Sequence, residues 1–446
     1  MTRMKRGVLA VAGSCVAIFW PGAMIFGYPG VMASQWQNMF GVGEGATGSV
    51  LFFMLAGVGT FMLVVGHWQE RTDTRVMVAA SAVICGLALF VASYGPGIRF
   101  IYLWAFLTGA SSCFIYLPGL TAVQRWFVEK KGLASGVVNL CFGIGGAIMA
   151  PVFSRLLDTM GYEPMNRLLT LLIIGTGVIG ALFVETPERA GYPGGVLPEA
   201  AADGESRADI NRSVVEGKEP PTGRMRKAVR AGEPLTVAES VRTRSFWFLW
   251  LTWALQGAAG IAMVTLSVAF GLARGLAMES AALLLTAFNL TNGLSRLLSG
   301  LLSDFVGRHL TLSLAFFAAA CAYFVLPHVD AMGPAAALAG VIGFSYGTLF
   351  AVSAPLVSDC FGLKHFGAIF GLVFTAFGFL SGLLGPSLSG HLLDLTGGDF
   401  LPVFTYLGVF CVLSGFFIRL VVPPRLSSPG GQVGGGSPDL VGGARI

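Results

Sequence analysis

The sequence predicts an all-α membrane protein in which twelve transmembrane helices form two pseudo-symmetric halves of six. Three observations lead to this fold class. Hydrophobic residues make up 54% of the chain and charged residues 11%, against roughly 25% charged in soluble domains. The chain contains twelve apolar runs, each close to the roughly 20 residues that cross a hydrocarbon core about 30 Å thick. The two sets of six runs also repeat each other.

The apolar runs are separated by short polar segments, and they are taken here in chain order. The first six lie near residues 7–32, 46–66, 76–94, 98–123, 133–157 and 167–185. The second six lie near 245–272, 280–302, 309–326, 333–357, 366–393 and 401–422. Residues 186–244 are rich in Pro, Gly, Glu and Arg, and residues 423–446 in Gly, Ser and Pro. The predicted divisions are therefore a six-helix half (1–185), a solvated linker (186–244), a second half (245–422) and a disordered tail (423–446).

The distribution of Lys and Arg orients the chain in the bilayer. With the N-terminus in the cytoplasm, the cytoplasmic side holds the basic residues of the linker and a further set: Arg3, Lys5, Arg6, Arg71, Arg75, Arg125, Lys130, Lys131, Arg308, Lys364 and Arg425. The opposite side keeps only Arg99, Arg155, Arg167 and Arg274. Because cytoplasmic loops carry the excess of basic residues, both termini are predicted to be cytoplasmic. Many Gly and Ala residues, with Arg in the loops, favour a bacterial inner membrane.

The two halves are related by a shift of 234 or 235 residues. This shift superimposes eight pairs: Gly66 and Gly300, Gly109 and Gly343, Tyr116 and Phe350, Phe127 and Phe361, Gly136 and Gly371, Phe142 and Phe377, Gly143 and Gly378, Pro151 and Pro386. Matches at a nearly constant offset indicate a duplication. Two halves of the same orientation form a parallel repeat about an axis along the membrane normal, and such a pair can rock about a central cavity.

One charged residue lies well inside a predicted span. Arg296 falls about five residues, or roughly 7 to 8 Å, past the middle of the eighth span. Burying it costs at least roughly 2.5 to 3.5 kcal/mol on insertion scales. One interpretation is an arginine that extends to the cytoplasmic headgroups. The other is a cation that faces a water-filled cavity and pairs with an anion there.

Two features favour the cavity. The repeat offset places Met62 opposite Arg296, so the charge belongs to one half alone. Asn289, Asn292 and Arg296 follow one another at spacings of four or fewer residues, so three polar groups share one helical face. The planar fork of an arginine suits a carboxylate, which it binds through two hydrogen bonds.

Aromatic and amide side chains on other spans are candidates for the walls of such a cavity. They are Tyr28 in the first span, Tyr116 in the fourth, Asn139 and Phe142 in the fifth, Tyr346 and Phe350 in the tenth, and Phe370, Phe374 and Phe377 in the eleventh. Packing against neighbouring helices is the alternative role for each. The repeat pairs Phe142 with Phe377 and Tyr116 with Phe350 across the pseudo-axis, where a central cavity is expected.

Two segments resemble a known family. GLLSDFVGRH, from Gly300 to His309, resembles the loop between the second and third helices of each half in the major facilitator superfamily. The resemblance implies that Gly300, Asp304, Gly307 and Arg308 lock helix ends on the cytoplasmic face. The counterpart GHWQERTDTR, from Gly66 to Arg75, has Gln69 or Glu70 near the acidic position, which predicts a weaker lock. RWFVEKKGLASG, from Arg125 to Gly136, resembles monocarboxylate transporters and the oxalate/formate antiporter group.

This resemblance implies a transporter in which the arginine of the eighth span, here Arg296, binds substrate. In oxalate/formate antiporters a lysine on the eleventh helix supplies a second cation, and here that position is Phe377. A single cation predicts a small monocarboxylate, similar to lactate or pyruvate, since a dianion would keep an uncompensated charge. Animal monocarboxylate transporters have an aspartate one turn before the arginine, and here Asn292 stands there. A cotransported proton is therefore expected to travel on the bound acid or through water.

Other functions stay open on the sequence alone. The alternatives are a carboxylate antiporter of the oxalate/formate type, an exporter of aromatic acids, and a membrane sensor or binding protein that does not transport. An enzyme is not expected, because the spans show no nucleophile with a base, no metal cluster and no carboxylate pair. We predict no metal, no cofactor and no nucleic-acid partner. The sequence does not decide between symport and exchange, the direction of transport, or the need for an accessory subunit.

Overall fold

The computed structural model describes residues 3–69, 71–127, 131–192, 235–362 and 365–423. The regular elements within these ranges are all helical. Residues 193–234 of the predicted linker and 424–446 of the predicted tail lie outside the described residues, as does Glu70. The all-helical membrane fold expected from composition is confirmed.

Among its described residues, the first half contains seven helices. They are α1 (Arg3–Phe26), α2 (Tyr28–Phe40), α3 (Glu44–Trp68), α4 (Thr74–Ser93), α5 (Ile98–Trp126), α6 (Lys131–Met160) and α7 (Tyr162–Phe183). A short helix, Val237–Val241, lies at the end of the predicted linker, in residues expected to be unstructured, and the helices of the second half follow it. These elements are α8 (Val237–Val241), α9 (Arg244–Ala273), α10 (Met278–Val306), α11 (Arg308–Val325), α12 (Met332–Phe361), α13 (Phe366–Thr375), α14 (Leu388–Thr396) and α15 (Phe400–Leu420).

Eleven helical stretches in the described part of the chain are long and apolar enough to cross a membrane. The long helix outside this set is α10, which has 29 residues but carries Asn289, Asn292 and Arg296. It packs against α6 and α12, so its polar face is buried between helices. The chain is an integral, multi-pass membrane protein. The domain boundaries at 185 and 245 remain predictions, although α7 ends at Phe183 and α9 begins at Arg244.

Two of the spans are interrupted helices. The first is predicted at 7–32, but the helix breaks at Gly27 and continues as α2 to Phe40. Pro29 lies in the first turn of α2, where its missing N–H costs nothing. The eleventh span consists of α13 and α14 joined by two π-helical turns, Ala376–Ser381 and Leu383–Ser387.

The residues that follow α7 are bound to the ends of the first-half helices. The carboxylate of Glu185 pairs with Arg75 and, at 3.7 Å, with Arg6. The indole of Trp126 donates to the Glu185 carbonyl at 2.7 Å. Among the described residues of the first half, therefore, Arg75 of the segment GHWQERTDTR pairs with an acidic residue from beyond α7, Glu185.

The halves meet along three pairs of helices that the repeat relates to one another. The pair α6 and α10 packs across the centre, α3 packs against the eleventh span, and α2 packs against α9. The interface therefore surrounds the position of Arg296 on α10.

Candidate substrate-binding site

Arg296 is buried in the centre of the interface, with 4% of its surface exposed. Its Nε and Nη2 atoms donate to Asn292 Oδ1 at 3.4 and 3.5 Å, which are long hydrogen bonds. Its Nη1 atom is buried without a hydrogen-bond partner. Among the described residues, no carboxylate forms a salt bridge with it. The guanidinium is thus withdrawn from water and lacks a counter-ion in the described part of the chain.

Close packing of α6 and α10 fixes this position. A Cβ atom on Gly143 of α6 would lie 2.8 Å from the Cα of Gly293 on α10. The same atom would lie 3.3 Å from Arg296 Nε. Glycine at 143 therefore allows the α6 backbone to approach the arginine, and the side chain is confined between the two helices.

Aromatic rings surround the guanidinium. Its Cζ atom lies 4.5 Å from the ring centroid of Phe350, 5.4 Å from that of Phe142 and 5.8 Å from that of Phe26. Cation–π contacts of this kind contribute up to about 2 kcal/mol when desolvated. They stabilise the cation but leave its hydrogen-bonding capacity free. The amide nitrogen of Asn292 and the hydroxyl of Tyr346 are likewise buried without partners.

A small cavity of about 30 Å³ lies beside these rings, between the two halves. Its walls are Ile25, Phe26, Leu55, Val58, Met62, Ser112, Cys113, Tyr116 and Phe142 from the first half, and Phe350, Phe374 and Phe377 from the second. Arg296 is not itself a wall residue. The three rings that its guanidinium contacts are all wall residues, so the charge lies directly behind the aromatic lining.

The structure brings most of the predicted site residues together. Five of them line the cavity: Tyr116, Phe142, Phe350, Phe374 and Phe377. Tyr346 stands next to the wall, with its ring centroid 5.2 Å from that of Phe350. Asn139 accepts a hydrogen bond from the Tyr116 hydroxyl at 3.1 Å. Both pairs that the repeat relates across the pseudo-axis, Phe142 with Phe377 and Tyr116 with Phe350, therefore line the cavity.

Tyr28 is placed elsewhere. Its hydroxyl donates to Asn166 Oδ1 at 2.6 Å inside the first half. Its ring packs against Trp36, Trp104 and Phe153. The structure therefore does not bring this residue to the cavity.

The predicted gating residues lie at the junction of α10 and α11, away from the cavity. Arg308 pairs with Asp359 at the end of α12 and lies 3.8 Å from Asp304. Gly307 has a φ of +98°, which favours glycine at the turn between the helices. Gly300 faces open space.

Sequence reasoning missed two aromatic residues of this site. Phe26 is the last residue of α1 and Tyr28 the first of α2, so the helix break at Gly27 separates the two side chains. Trp253 of α9 lies 5.0 Å from Phe350 and 4.8 Å from Phe374 between ring centroids, and its indole N–H has no partner. The spacing pattern of α9 gave no signal for Trp253, because nearly all of that helix is buried.

Comparison with known proteins identifies the fold family. The model of the Major Facilitator Superfamily matches residues 9–339 and 249–441. The chain is 26% identical over 369 residues to the oxalate:formate antiporter of Oxalobacter formigenes, covering 82% of this chain and 79% of that protein. It is 27% identical over 372 residues to human monocarboxylate transporter 11, covering 81% and 71%. An agnestins efflux protein of Paecilomyces divaricatus is 20% identical over 429 residues, covering 93% and 87%.

Proposed function

This chain belongs to the major facilitator superfamily, and we propose that it is a secondary transporter of monocarboxylates that docks the substrate carboxylate on Arg296. The predicted family is confirmed, and transport is the activity that its relatives share. The substrate and the coupling are our proposal. They rest on the site and on the names of relatives that carry organic anions.

One observation carries the proposal: a desolvated arginine without a counter-ion in the described residues, beside a cavity between two halves. A buried charge costs several kcal/mol unless it is paired. Arg296 Nη1 and Asn292 Nδ2 are donors that lack acceptors. A carboxylate in the cavity supplies two acceptor oxygens and a negative charge, which is what these groups lack.

The same site supports one negative charge. Among the described residues, the cavity wall holds no Lys, Arg or His, so Arg296 is the only cation beside it. A dicarboxylate would leave one charge uncompensated in a site of low dielectric. We therefore favour monocarboxylates, the class to which lactate and pyruvate belong, over dianions such as oxalate.

Neutralising the guanidinium couples binding to the conformational change. With the anion bound, the halves close around a site with no net charge, and they reopen on the other side of the membrane. In the part of the chain that the structure describes, no Asp or Glu lines the cavity. We propose that a coupled proton moves with the acid itself or through water. We propose that both termini are cytoplasmic, from the distribution of Lys and Arg, and that the membrane is a bacterial inner membrane, from the many Gly and Ala residues with Arg in the loops.

The proposal is tested with purified protein in proteoliposomes. Replacing Arg296 by Lys or Gln is expected to abolish uptake of radiolabelled monocarboxylates and thermal stabilisation by them. The control is Arg99→Gln, which removes an exposed arginine outside the site and is expected to keep both. Full uptake by both Arg296 variants would refute the docking role. Counterflow from preloaded vesicles, with and without a pH gradient, separates exchange from proton symport, and absence of any flux would favour a sensor.

A further inference from the structure

We infer that Asn289 is a gating residue, whose amide joins the two halves on one side of Arg296 and must let go before substrate can enter from that side. Asn289 Nδ2 donates a hydrogen bond of 2.8 Å to the backbone carbonyl of Phe26, and we call this bond the gate. Asn289 lies on α10 of the second half, and Phe26 ends α1 of the first. The inference rests on the proposed function, because it takes Arg296 as the docking point of the substrate.

The break in the first span provides the acceptor of the gate. Phe26 is the last residue of α1, and the last four carbonyls of an α-helix lack donors within the helix. Pro29 lies in the first turn of α2 and has no N–H to offer. A buried carbonyl without a partner is unfavourable. The amide of Asn289 supplies the donor from the other half.

The packing of three helices leaves room for this bond. A Cβ atom on Gly146 of α6 would lie 2.8 Å from Asn289 Nδ2 and 2.8 Å from the Cβ of Phe26. Glycine at 146 therefore allows the amide and the carbonyl to meet. Asn289 is fully buried, and its Oδ1 atom has no hydrogen-bond partner in the part of the chain that the structure describes. A single bond across the interface thus holds the amide, and a rocking motion of the halves can break and re-form it.

The gate lies between Arg296 and the end of the molecule where α3 begins. Ala273, the last residue of α9, lines the same surface pocket as Glu44, the first residue of α3, so α10 also begins at that end. Asn289 lies seven residues before Arg296, on the same helical face and about 10 Å nearer that end. Parting the halves at that end breaks the gate and exposes the guanidinium to water.

Phe26 connects the gate to the docking point. Its ring lines the cavity, and the ring centroid lies 5.8 Å from the Cζ atom of Arg296. Its carbonyl is held by Asn289. A carboxylate that pairs with Arg296 competes with the ring for the guanidinium, so substrate binding acts on the residue that forms the gate.

Labelling of a cysteine at the same end tests the gate without any substrate. The reporter is Ser49→Cys, because Ser49 is half-buried and its hydroxyl lies 2.9 Å from that of Ser387 on the other half. In this background Asn289→Leu removes the donor at similar volume, and labelling of the purified protein by a polar maleimide is expected to rise at least about fivefold. Matched proteins that keep Ser49 give the labelling of the native cysteines, which is subtracted.

The matched control is Thr291→Val on the same helix. The Thr291 hydroxyl donates to the carbonyls of Ala287 and Phe288 in its own helix, so removing it breaks no bond between the halves. Labelling in this variant is expected to match that of the reporter alone.

A second variant attacks the gate from the other side. Gly146→Ala displaces the amide without removing it, so it is likewise expected to raise labelling of the reporter. Its control is Gly175→Ala, which is expected to leave labelling unchanged because a Cβ atom there meets no neighbouring atom within 4 Å.

Unchanged labelling in folded Asn289→Leu or Gly146→Ala protein would overturn the inference, and so would an equal rise in Thr291→Val. Thermal stabilisation by monocarboxylates is measured on the same variants and is expected to be kept, because the free donors of Arg296 and Asn292 are unchanged. Loss of stabilisation with unchanged labelling would make Asn289 a binding residue instead of a gate. Absence of stabilisation in the wild type would overturn the proposed function, whereas the labelling result uses no substrate and would stand by itself.

Discussion

The surroundings of the Arg296 guanidinium determine what the site can bind. Aromatic rings and one amide oxygen stabilise the guanidinium, but the hydrogen bonds to Asn292 are long and Nη1 has none. The residue therefore keeps most of its capacity for an anion. A lysine at this position would offer a single ammonium, which cannot bind both oxygens of a carboxylate in one plane.

A carboxylate built in next to Arg296 is expected to compete with the substrate. In Asn292→Asp the new oxygen would lie near the guanidinium, at about the position of Asn292 Oδ1, 3.4 Å from Nε. The internal ion pair is expected to weaken monocarboxylate binding at neutral pH by about tenfold or more. Protonation of the new carboxyl removes the competitor, so binding should strengthen as the pH falls. Affinities measured by thermal stabilisation across a pH series check this.

The control for this experiment is Asn292→Ala, which removes the amide without adding an acid. Its binding is expected to be weaker than wild type but without the added dependence on pH. Tight binding by Asn292→Asp at neutral pH, without dependence on pH, would contradict the predicted competition between the new carboxylate and the substrate.

At the residue scale the sequence predicted the charged centre better than its surroundings. The spacing of Asn292 and Arg296 on one helix predicts their contact, because residues four apart lie on the same face. Phe26 reaches the cavity, and Trp253 reaches the rings of its wall, only through the way α1 and α9 pack in the interface. Periodicity cannot distinguish the faces of a helix such as α9 that is buried almost all round.

At the scale of helices, the crossing of α6 and α10 positions the arginine. Gly143→Ala places a methyl group 2.8 Å from the Gly293 Cα and 3.3 Å from Arg296 Nε, so the helices must separate or the side chain must move. Overpacking of this kind typically costs about 1–3 kcal/mol. We expect a lower melting temperature and about tenfold weaker monocarboxylate binding, measured on the purified variant.

Gly175→Ala is the matched control, because a Cβ atom there meets no neighbouring atom within 4 Å. It lies in α7, and alanine is favoured over glycine in a helix, so stability should hold or rise. If Gly143→Ala binds substrate like the control, the close crossing does not set the arginine's position.

For the eleventh span the sequence predicts the extent of the helix but not its internal hydrogen bonding. Its extent, predicted at 366–393, agrees with the helical stretch from Phe366 to Thr396. Its two π-helical turns were not predicted. The periodicity of apolar residues does not show whether the backbone hydrogen bonds join residues four or five positions apart. Pro386 lies in the second turn and lacks an N–H, and proline in a helix interior disturbs the local ladder. Such π-turns are frequent at functional sites, and here the first one holds Phe377 of the cavity wall.

At the scale of the whole molecule, the structure is closed at the end where α3 begins, which we call the outer end. Asp394 of α14 accepts hydrogen bonds from the backbone N–H groups of Glu44 and Gly45 at 2.7 and 2.8 Å. A carboxylate from the second half thus caps a helix of the first half, where the helix dipole favours negative charge. Ser49 and Ser387 share a hydrogen bond of 2.9 Å in the same region.

The twelve-span plan and the repeat could be read from the sequence, because length, apolarity and duplication are properties of the chain itself. The sequence does not show which end of the molecule is closed. Alternating states of one sequence differ by only a few kcal/mol, and the balance depends on contacts between halves such as those of Asp394. These contacts join residues about 350 positions apart, which no local pattern relates.

The outer end must open for alternating access, so a covalent link across it should stop transport. In the double variant Ser49→Cys with Ser387→Cys, the thiols replace hydroxyls that lie 2.9 Å apart on opposite halves. Oxidation is expected to join them and to abolish most monocarboxylate uptake in proteoliposomes, and a reducing agent should restore it. Each single variant and the oxidised wild type, whose seven cysteines are all free, serve as controls and should keep their uptake.

Wild-type rates in a preparation shown by mass spectrometry to be fully cross-linked would mean that the halves do not separate at this end during transport. Binding measured on the cross-linked protein separates the two steps, since a site that still reaches solvent at the other end should respond to monocarboxylates while flux is blocked.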